Sequence, residues 1–555
     1  MKQQHQLELA SRYFRTLRHL RFSQLRGQVI TRLKKQWYDP AEMLAGQAAN
    51  WKLSLHSKEL DLCPPVPAQD VEAPLCNTFC FVSQTANLGF PIDWEAIGQS
   101  RLWKYNLHYF DWLWSLLDAA DDYWENAKDL TLDWIERHPP TTGACGWEPY
   151  PTSLRLINWC LLYGWKHQEK LAEDPIFRDT LLDSIGRQVT WLERNLETHI
   201  QANHLLENLC ALVCVTSVLK GPDCIRLQKR YRPQLVREIQ EQILLDGMHY
   251  ERSPMYHLRV MWLMEMLKEV GDSSIQELVR DPLERAKVAL ECMSHPDGDI
   301  AQFNDAAIGI YADSWPTLVP DGAWSLPEAG YYGYRHGGDY VVIDSGPVGP
   351  DHQPGHAHAD LLSFELSFAG HRVITDTGIG TYEKGDERSY DRSTAAHSTL
   401  EIAGQNSVEV WGGFRVGRRA VPKVLRWEPS DRGFLLKAEH HGYAHLQGRP
   451  VHRRTFEWRD GGLEIRDQVC GGTGQSVAIR FHLAPGVEVT IRKGMVECWK
   501  GDLRFGLSFD GPGKLLVERA HAYPQFGLRQ ERLVVVVRHD LTSRSLEWRF
   551  QLCQF

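Results

Sequence analysis

From about residue 96 to residue 310, apolar side chains recur every three or four positions in segments parted by short polar connections. That period predicts helices over Leu107–Ala120, Ser153–Trp165, Ile185–Leu196, Asn203–Leu219, Pro233–Leu245 and Tyr256–Val270. Successive helices of similar length suggest stacked hairpins that close into a toroid or solenoid, although no sequence repeat marks the units. Near residue 325 the period drops to two. Tyr340–Asp344, Leu362–Phe368, Arg372–Thr375 and Val534–Arg538 read as strands, and glycine-rich turns punctuate the chain as far as Phe555. This is the pattern of an antiparallel sandwich or jelly roll. The break between the two halves falls within residues 310–328.

Ahead of the helices, Arg12, Arg15, Arg18 and Arg21 recur every third residue between Tyr13, Phe14, Leu17 and Leu20. A helix there is amphipathic and cationic. One reading is a surface for anionic lipid or an acidic partner, a peripheral membrane or assembly-complex contact. The other, preferred, is a helix packed on the body with its arginines in water. Residues 37–95 read as irregular, broken by Pro64, Pro65, Pro67 and Pro74. The division expected is therefore residues 1–95, a helical domain over 96–315, and a β domain over 325–555.

A chain of 555 residues exceeds one hydrophobic core, and its 43% hydrophobic and 24% charged residues are globular values. The net charge of −9, with cations concentrated only in the first helix, gives no case for nucleic-acid binding. Twenty Trp and nineteen Tyr suit either stacking on sugar rings or the core of a large helical domain. The twelve Cys include no C-x-x-C pair; Cys76 and Cys80, like Cys210 and Cys214, are four apart, one helical face and hence core packing. The first ten residues are polar, and no apolar run follows a basic start. The expectation is a cytoplasmic protein.

Three clusters carry chemistry. In His352-Gln-Pro-Gly-His356-Ala-His358-Ala-Asp360, a strand would point His356, His358 and Asp360 to one face. Asp376 and His397 follow. Two imidazoles and a carboxylate suit Zn²⁺; a hydrogen-bonded polar network at a strand end explains them equally. In Asn203-His204-Leu-Leu-Glu207, the three polar residues can share a helical face, or be an N-cap with a surface His–Glu pair. In the segment Arg252-Ser-Pro-Met-Tyr256-His257, Tyr256 enters the first turn of a helix; it is a proton carrier if nearby cations lower its pKa, or an ordinary buried Tyr.

Together these clusters, in this order over residues 95–480, resemble the heparinase II/III family of polysaccharide lyases. The resemblance implies an incomplete (α/α) toroid followed by an antiparallel β-sandwich, and β-elimination on an acidic, uronate-containing polysaccharide. It implies that Asn203 neutralises the substrate carboxylate, that His204 and Tyr256 serve as base and acid, and that His356 assists. His358, Asp376 and His397 would hold a divalent metal, structural in role by the resemblance and Zn²⁺ by ligand type. Glu207 matches an acidic residue that some members use near the site. Tyr150 and Arg155, in Trp147-Glu-Pro-Tyr150-Pro-Thr-Ser-Leu-Arg155, resemble a substrate-groove helix. Arg155 offers a bidentate contact to a carboxylate, or a helix-packing salt bridge. Arg252 and Arg392 are further substrate-binding candidates, and Tyr382 and Tyr390 are candidates for a second catalytic Tyr.

Two features depart from degradative members. They usually carry a secretion signal, and a periplasmic location is the alternative that this habit implies. The basic first segment and Trp103-Lys-Tyr-Asn-Leu-His-Tyr109 resemble a subgroup found with bacterial surface-polysaccharide assembly. A hydrolase that uses two carboxylates, with Glu207 and Asp360 as candidates, and a non-catalytic glycan-binding or assembly protein are the alternatives to a lyase.

Overall fold

The structure is a computed structural model and describes residues 2–37, 51–141, 143–311, 320–492 and 495–555. The expected break over 310–328 lies partly outside the described residues, as does part of the irregular segment over 37–95.

The long helices are α1 (Lys2–Leu17), α2 (Phe22–Trp37), α3 (Arg101–Tyr109), α4 (Trp124–Arg137), α5 (Pro149–Leu161), α6 (Pro175–Asn195), α7 (Ala202–Val218), α8 (Pro222–Gln242), α9 (Pro254–Val270) and α10 (Ser273–Cys292). Local sequence sets their ends. Ser100 accepts from the Trp103 amide to cap α3, and Asp174 and Ser253 cap α6 and α9, each just before a proline at the first helical position. The expected helix over Leu107–Ala120 breaks at Phe110, which takes φ 61°, into α3 and the short helix Trp112–Leu117. The helix expected to start at Pro233 starts at Pro222 and runs through Pro233. Trp103, Trp112, Trp114, Trp134 and Trp159 are wholly buried among these helices, so most tryptophans build the core.

The β domain opens with a five-stranded meander: β1 (Gly322–Leu326), β2 (Tyr331–His336), β3 (Asp339–Asp344), β4 (Phe364–Phe368) and β5 (His371–Ile374). The remaining long strands are β6 (Leu400–Ile402), β7 (Lys423–Ser430), β8 (Gly433–His440), β9 (Val451–Arg459), β10 (Gly462–Cys470), β11 (Ser476–His482), β12 (Glu488–Arg492), β13 (Met495–Lys500), β14 (Leu503–Asp510), β15 (Lys514–Gln525), β16 (Leu528–Asp540) and β17 (Ser545–Gln554). They form an antiparallel eight-stranded sheet, β7-β8-β9-β10-β17-β14-β13-β12, and a four-stranded sheet, β6-β11-β16-β15. In β9 the burial alternates residue by residue, which places His452, Arg454, Phe456 and Trp458 inside. Phe364, Leu366, Phe456, Ile465, Phe481 and Phe550 form the inter-sheet core.

Cys210 and Cys214 are buried on α7, as their spacing predicts, but Cys80 lies in the strand Thr78–Phe81 and both Cys76 and Cys80 are exposed. Spacing alone does not fix the period when the surrounding turn residues favour a hairpin.

The cationic first segment packs on both domains. Arg12 and Arg15 pair with Glu409 of the β domain, Tyr13 meets Trp411 edge-on at 4.9 Å, and Arg21 pairs with Glu241 of α8. Gln24 is buried between the carbonyls of Ile200 and His352, one from each domain.

Candidate active site

A cleft of about 1910 Å³ lies between the helical and β domains, with α2 along one side. Asn203 and His204 reach it from the first turn of α7. The two residues before them, Gln201 and Ala202, take φ of 67° and 52°, a region that costs a non-glycine residue about 1 kcal/mol or more. The turn is held by Asn208, whose Oδ1 accepts from the Glu197 amide at 2.9 Å, and by the Gln201 amide, which donates to the Glu197 carbonyl at 2.8 Å. Glu197 in turn accepts from His204 Nδ1 at 2.9 Å. Burial works against a charge on His204, but the Glu197 carboxylate outweighs it and the imidazole pKa is raised.

Tyr256 enters from the first turn of α9. Its ring stacks on His356, centroids 4.0 Å apart, and its hydroxyl shares a 2.8 Å hydrogen bond with Tyr382. Burial pushes the Tyr256 phenol well up, and Tyr382 adds to the shift. The lowering by cations expected from sequence is thus reversed: the phenol holds its proton, as a general acid requires.

His356 and His358 were expected to share a strand face. They lie instead in the loop joining β3 to β4, and converge because both donate to one carboxylate. Asp305 accepts from His356 Nδ1 at 2.8 Å and from His358 Nε2 at 2.9 Å; Arg388 completes the shell from both terminal guanidinium nitrogens, Nη2 at 2.8 Å. Burial opposes the charge on Asp305, but Arg388 and the two imidazoles hold it well below the usual carboxylate range. With Nδ1 committed to Asp305, Nε2 is the ring nitrogen left for other contacts, and it lies 3.9 Å from the Glu251 carboxylate.

Behind this loop, His358, Asp376 and His397 are all buried and bring one ligand atom each to within 4.8 Å of one another. His358 Nδ1 and His397 Nε2 are buried without a hydrogen-bond partner, which fits nitrogens aimed at a cation. Burial pushes His358 down to about 4, the neutral state of a ligand. His397 donates to Asp376 at 2.7 Å. Asp360 is buried beside them, and burial pushes it up to about 6.

The other expected substrate contacts divide. Tyr150 lines the cleft, its ring 4.5 Å from His204. Arg155 does not reach it: fully buried, it donates to Gln188 and the His108 carbonyl and stacks on Trp134 at 4.0 Å. Glu207 also turns away from the cleft, into a buried pair with Arg259 at 2.5 Å. Arg252 binds the carbonyls of Tyr250, Glu328 and Ala329, and Arg392 those of Ala357, Gly412 and Gly413. All three arginines are buried donors to fixed partners and lie outside the cleft lining. Tyr390 stays half-exposed outside the cleft lining, whereas Tyr382 lines it. The carboxylate pair considered for hydrolysis, Glu207 and Asp360, is buried off the cleft.

Sequence reading missed Glu197, Glu251, Asp305 and Arg388. Glu251 lies buried with no hydrogen bond to either carboxylate oxygen, 3.9 Å from His356 Nε2, and burial pushes its pKa up. Only Glu251 sat inside a motif segment, Asp246-Gly-Met-His-Tyr250-Glu251, where its acidity was a usable signal.

The site thus joins an amide and an imidazole of raised pKa on one wall to a protonated phenol and an imidazole oriented by Asp305 on the other. Aromatic rings of Trp51, Trp147, Trp191, Tyr105 and Phe414 line the rest.

Comparison with known proteins gives a consistent assignment of the halves. The sequence profile of the heparinase II/III N-terminus matches residues 74–315, and that of the heparinase II/III-like C-terminal region matches residues 319–550. A heparin-sulfate lyase of Pedobacter heparinus is 28% identical over 279 residues, 43% of this chain and 41% of that protein. The chain thus spans about two-fifths of that lyase in the match. FtsZ-localized protein C of Caulobacter vibrioides is 26% identical over 506 residues, 84% of each chain. The crystal structure of heparinase III superposes with a TM-score of 0.70 at 18% identity, over 84% of this chain and 80% of that one. Its likeness supports the toroid-plus-sandwich architecture.

Proposed function

The chain belongs to the heparinase II/III family, and from that premise we propose that it is a polysaccharide lyase that cleaves a uronate-containing polymer by β-elimination. The observation that carries this reading is the grouping of Asn203, His204, Tyr256 and His356 around one cleft, with a bonded side-chain partner at each of the last three.

The proton on C5 of a uronate is hard to remove because the neighbouring carboxylate resists more negative charge. Asn203 and the His204 imidazolium, held charged by Glu197, neutralise that carboxylate and stabilise the charge that grows in the transition state. His356 Nε2 takes the C5 proton, with Asp305 fixing the ring as an orienting carboxylate does in hydrolytic triads. The Tyr256 phenol gives its proton to O4 as the C4–O4 bond breaks and the C4–C5 double bond forms. Tyr382, bonded to the same hydroxyl, is placed to return a proton. This assignment gives His204 the carboxylate and His356 the base role, because Glu197 holds His204 in its acid form.

His358, Asp376 and His397 hold a divalent metal in this proposal, Zn²⁺ by donor type. A bound ion would join the β3–β4 loop to the segments after β5 and before β6, where Asp376 and His397 lie, and would so steady His356, two residues from His358. The substrate is an acidic polysaccharide, and a polymer of the cell's own surface fits the subgroup that the first segment resembles.

Cleavage in heavy-oxygen water tests the reaction class. A lyase leaves the label out of both product ends and yields an ultraviolet-absorbing uronate; label at a new reducing end would establish hydrolysis. A second reading, in which the same cleft binds a glycan without turning it over, stands beside this one because a relative matched over 84% of each chain, FtsZ-localized protein C, is named for its localization and not for a lyase activity.

A further inference from the structure

The N-terminal helical pair has two faces, and the contacts described above use only one. On α2, Gly27, Ile30, Thr31 and Lys34 face the cleft, while Gln24 sits buried between the domains. Phe22, Arg26, Val29 and Leu33 form a second stripe at helical spacing, turned about 120° from the first by the 100° step of an α-helix. Phe22 is 81% exposed, Val29 57% and Leu33 53%; on α1, Phe14 is 69% exposed. Leu17 is exposed beside it, and Arg18, Arg26 and Arg32 stand exposed among these apolar groups. Residues 1–37 hold nine Lys and Arg against one Glu, a net +8 on a chain of net −9, so that the remaining residues carry −17.

We propose that this outer face of α1–α2 docks on an anionic lipid bilayer. Large apolar side chains with arginines between them match the boundary of headgroups and acyl chains, where the rings insert and the guanidiniums meet lipid phosphates. The charge asymmetry fixes the orientation: the strongly acidic remainder is repelled by the same surface that attracts the hairpin. Arg12, Arg15 and Arg21 are bound to carboxylates of the two domains, so the hairpin docks as a rigid part of the molecule. Because the opposite stripe of α2 lines the cleft, docking sets the cleft beside the lipid surface, within reach of a polymer attached there.

The test is flotation of the full chain with vesicles of phosphatidylcholine alone and of phosphatidylcholine mixed with phosphatidylglycerol, at low and high salt. It reads binding and does not depend on lyase activity. The wild type floats with the anionic vesicles, not with the neutral ones, and salt weakens it. Phe14→Glu/Phe22→Glu and Arg26→Glu/Arg32→Glu each reduce binding at least about tenfold, while their melting temperatures match the wild type because the side chains are exposed. Absence of flotation with anionic vesicles at low salt, equal binding to both vesicle types, or binding retained by both variants overturns the proposal.

Discussion

Replacing Asp305 by Asn isolates one positioning residue. The carboxylate accepts from His356, His358 and both terminal nitrogens of Arg388. An amide offers one oxygen and turns an NH2 towards the donors on its other side. If that NH2 faces His356, the ring must accept at Nδ1 and carry its proton on Nε2, which abolishes the base. The comparable loss of an orienting carboxylate in a hydrolytic triad lowers kcat by about 10⁴, and a drop of ~10³–10⁴ is expected here, about 4–5.5 kcal/mol of barrier. Arg388, 1% exposed at its side chain, loses its charge partner, which costs roughly 3–5 kcal/mol of stability. The assay is initial-rate ultraviolet absorbance on a polymer that the wild type cleaves, with circular dichroism and thermal melting on the same samples. A folded variant with a lower melting temperature, a collapsed kcat and a KM within a few fold of wild type is the expected result. A folded variant with kcat within about threefold of wild type would refute the orienting role.

Three further outcomes follow from the same geometry. Glu197→Gln removes the carboxylate that raises His204, so the imidazole loses its proton at lower pH; the rise in KM on the alkaline side then begins at lower pH than in the wild type, and an unmoved KM–pH curve contradicts the role given to His204. Chelation of the purified protein, or His397→Ala, removes about one equivalent of metal per chain by elemental analysis and lowers the melting temperature, with zinc restoring the chelated wild type but not the variant. Burial pushes Asp391 up to about 7 in the fold, against about 3.9 unfolded, so the folded state is penalised as pH rises between those values and by up to ~4 kcal/mol above them; Asp391→Asn therefore raises the melting temperature at about pH 8 and hardly at about pH 4, read by calorimetry.

The two-domain fold was legible because the hydrophobic period itself changes, from near 3.6 to 2, where the helical domain gives way to the sheets. Asn203, His204, Tyr256 and His356 were legible because each sits in a short segment of unusual composition. The helical arginines and Glu207 misled for a physical reason. Nearly every residue of α5 and α7 is buried, so polarity no longer marks which face looks outward, and spacing shows only that residues share a face. Glu207 serves the buried Arg259, and Arg155 serves Gln188 and the His108 carbonyl. Asp305 lay beyond local reading, 51 residues from His356, and Tyr382, although a candidate from the resemblance, could not be told from Tyr390 by spacing because its partner Tyr256 is 126 residues away. The Asp305 carboxylate also explains why a loop with no strand geometry still brings His356 and His358 together.

The central claim is that this cleft performs β-elimination with Tyr256 as the acid. The most direct measurement compares wild type and Tyr256→Phe on heparan sulfate, alginate, hyaluronan and the surface polysaccharide of the source cell, following absorbance from a new C4–C5 double bond. Absorbance with at least one polymer that falls at least about a hundredfold in the variant is the predicted result. New reducing ends without absorbance, or absorbance that the variant retains in full, would contradict it.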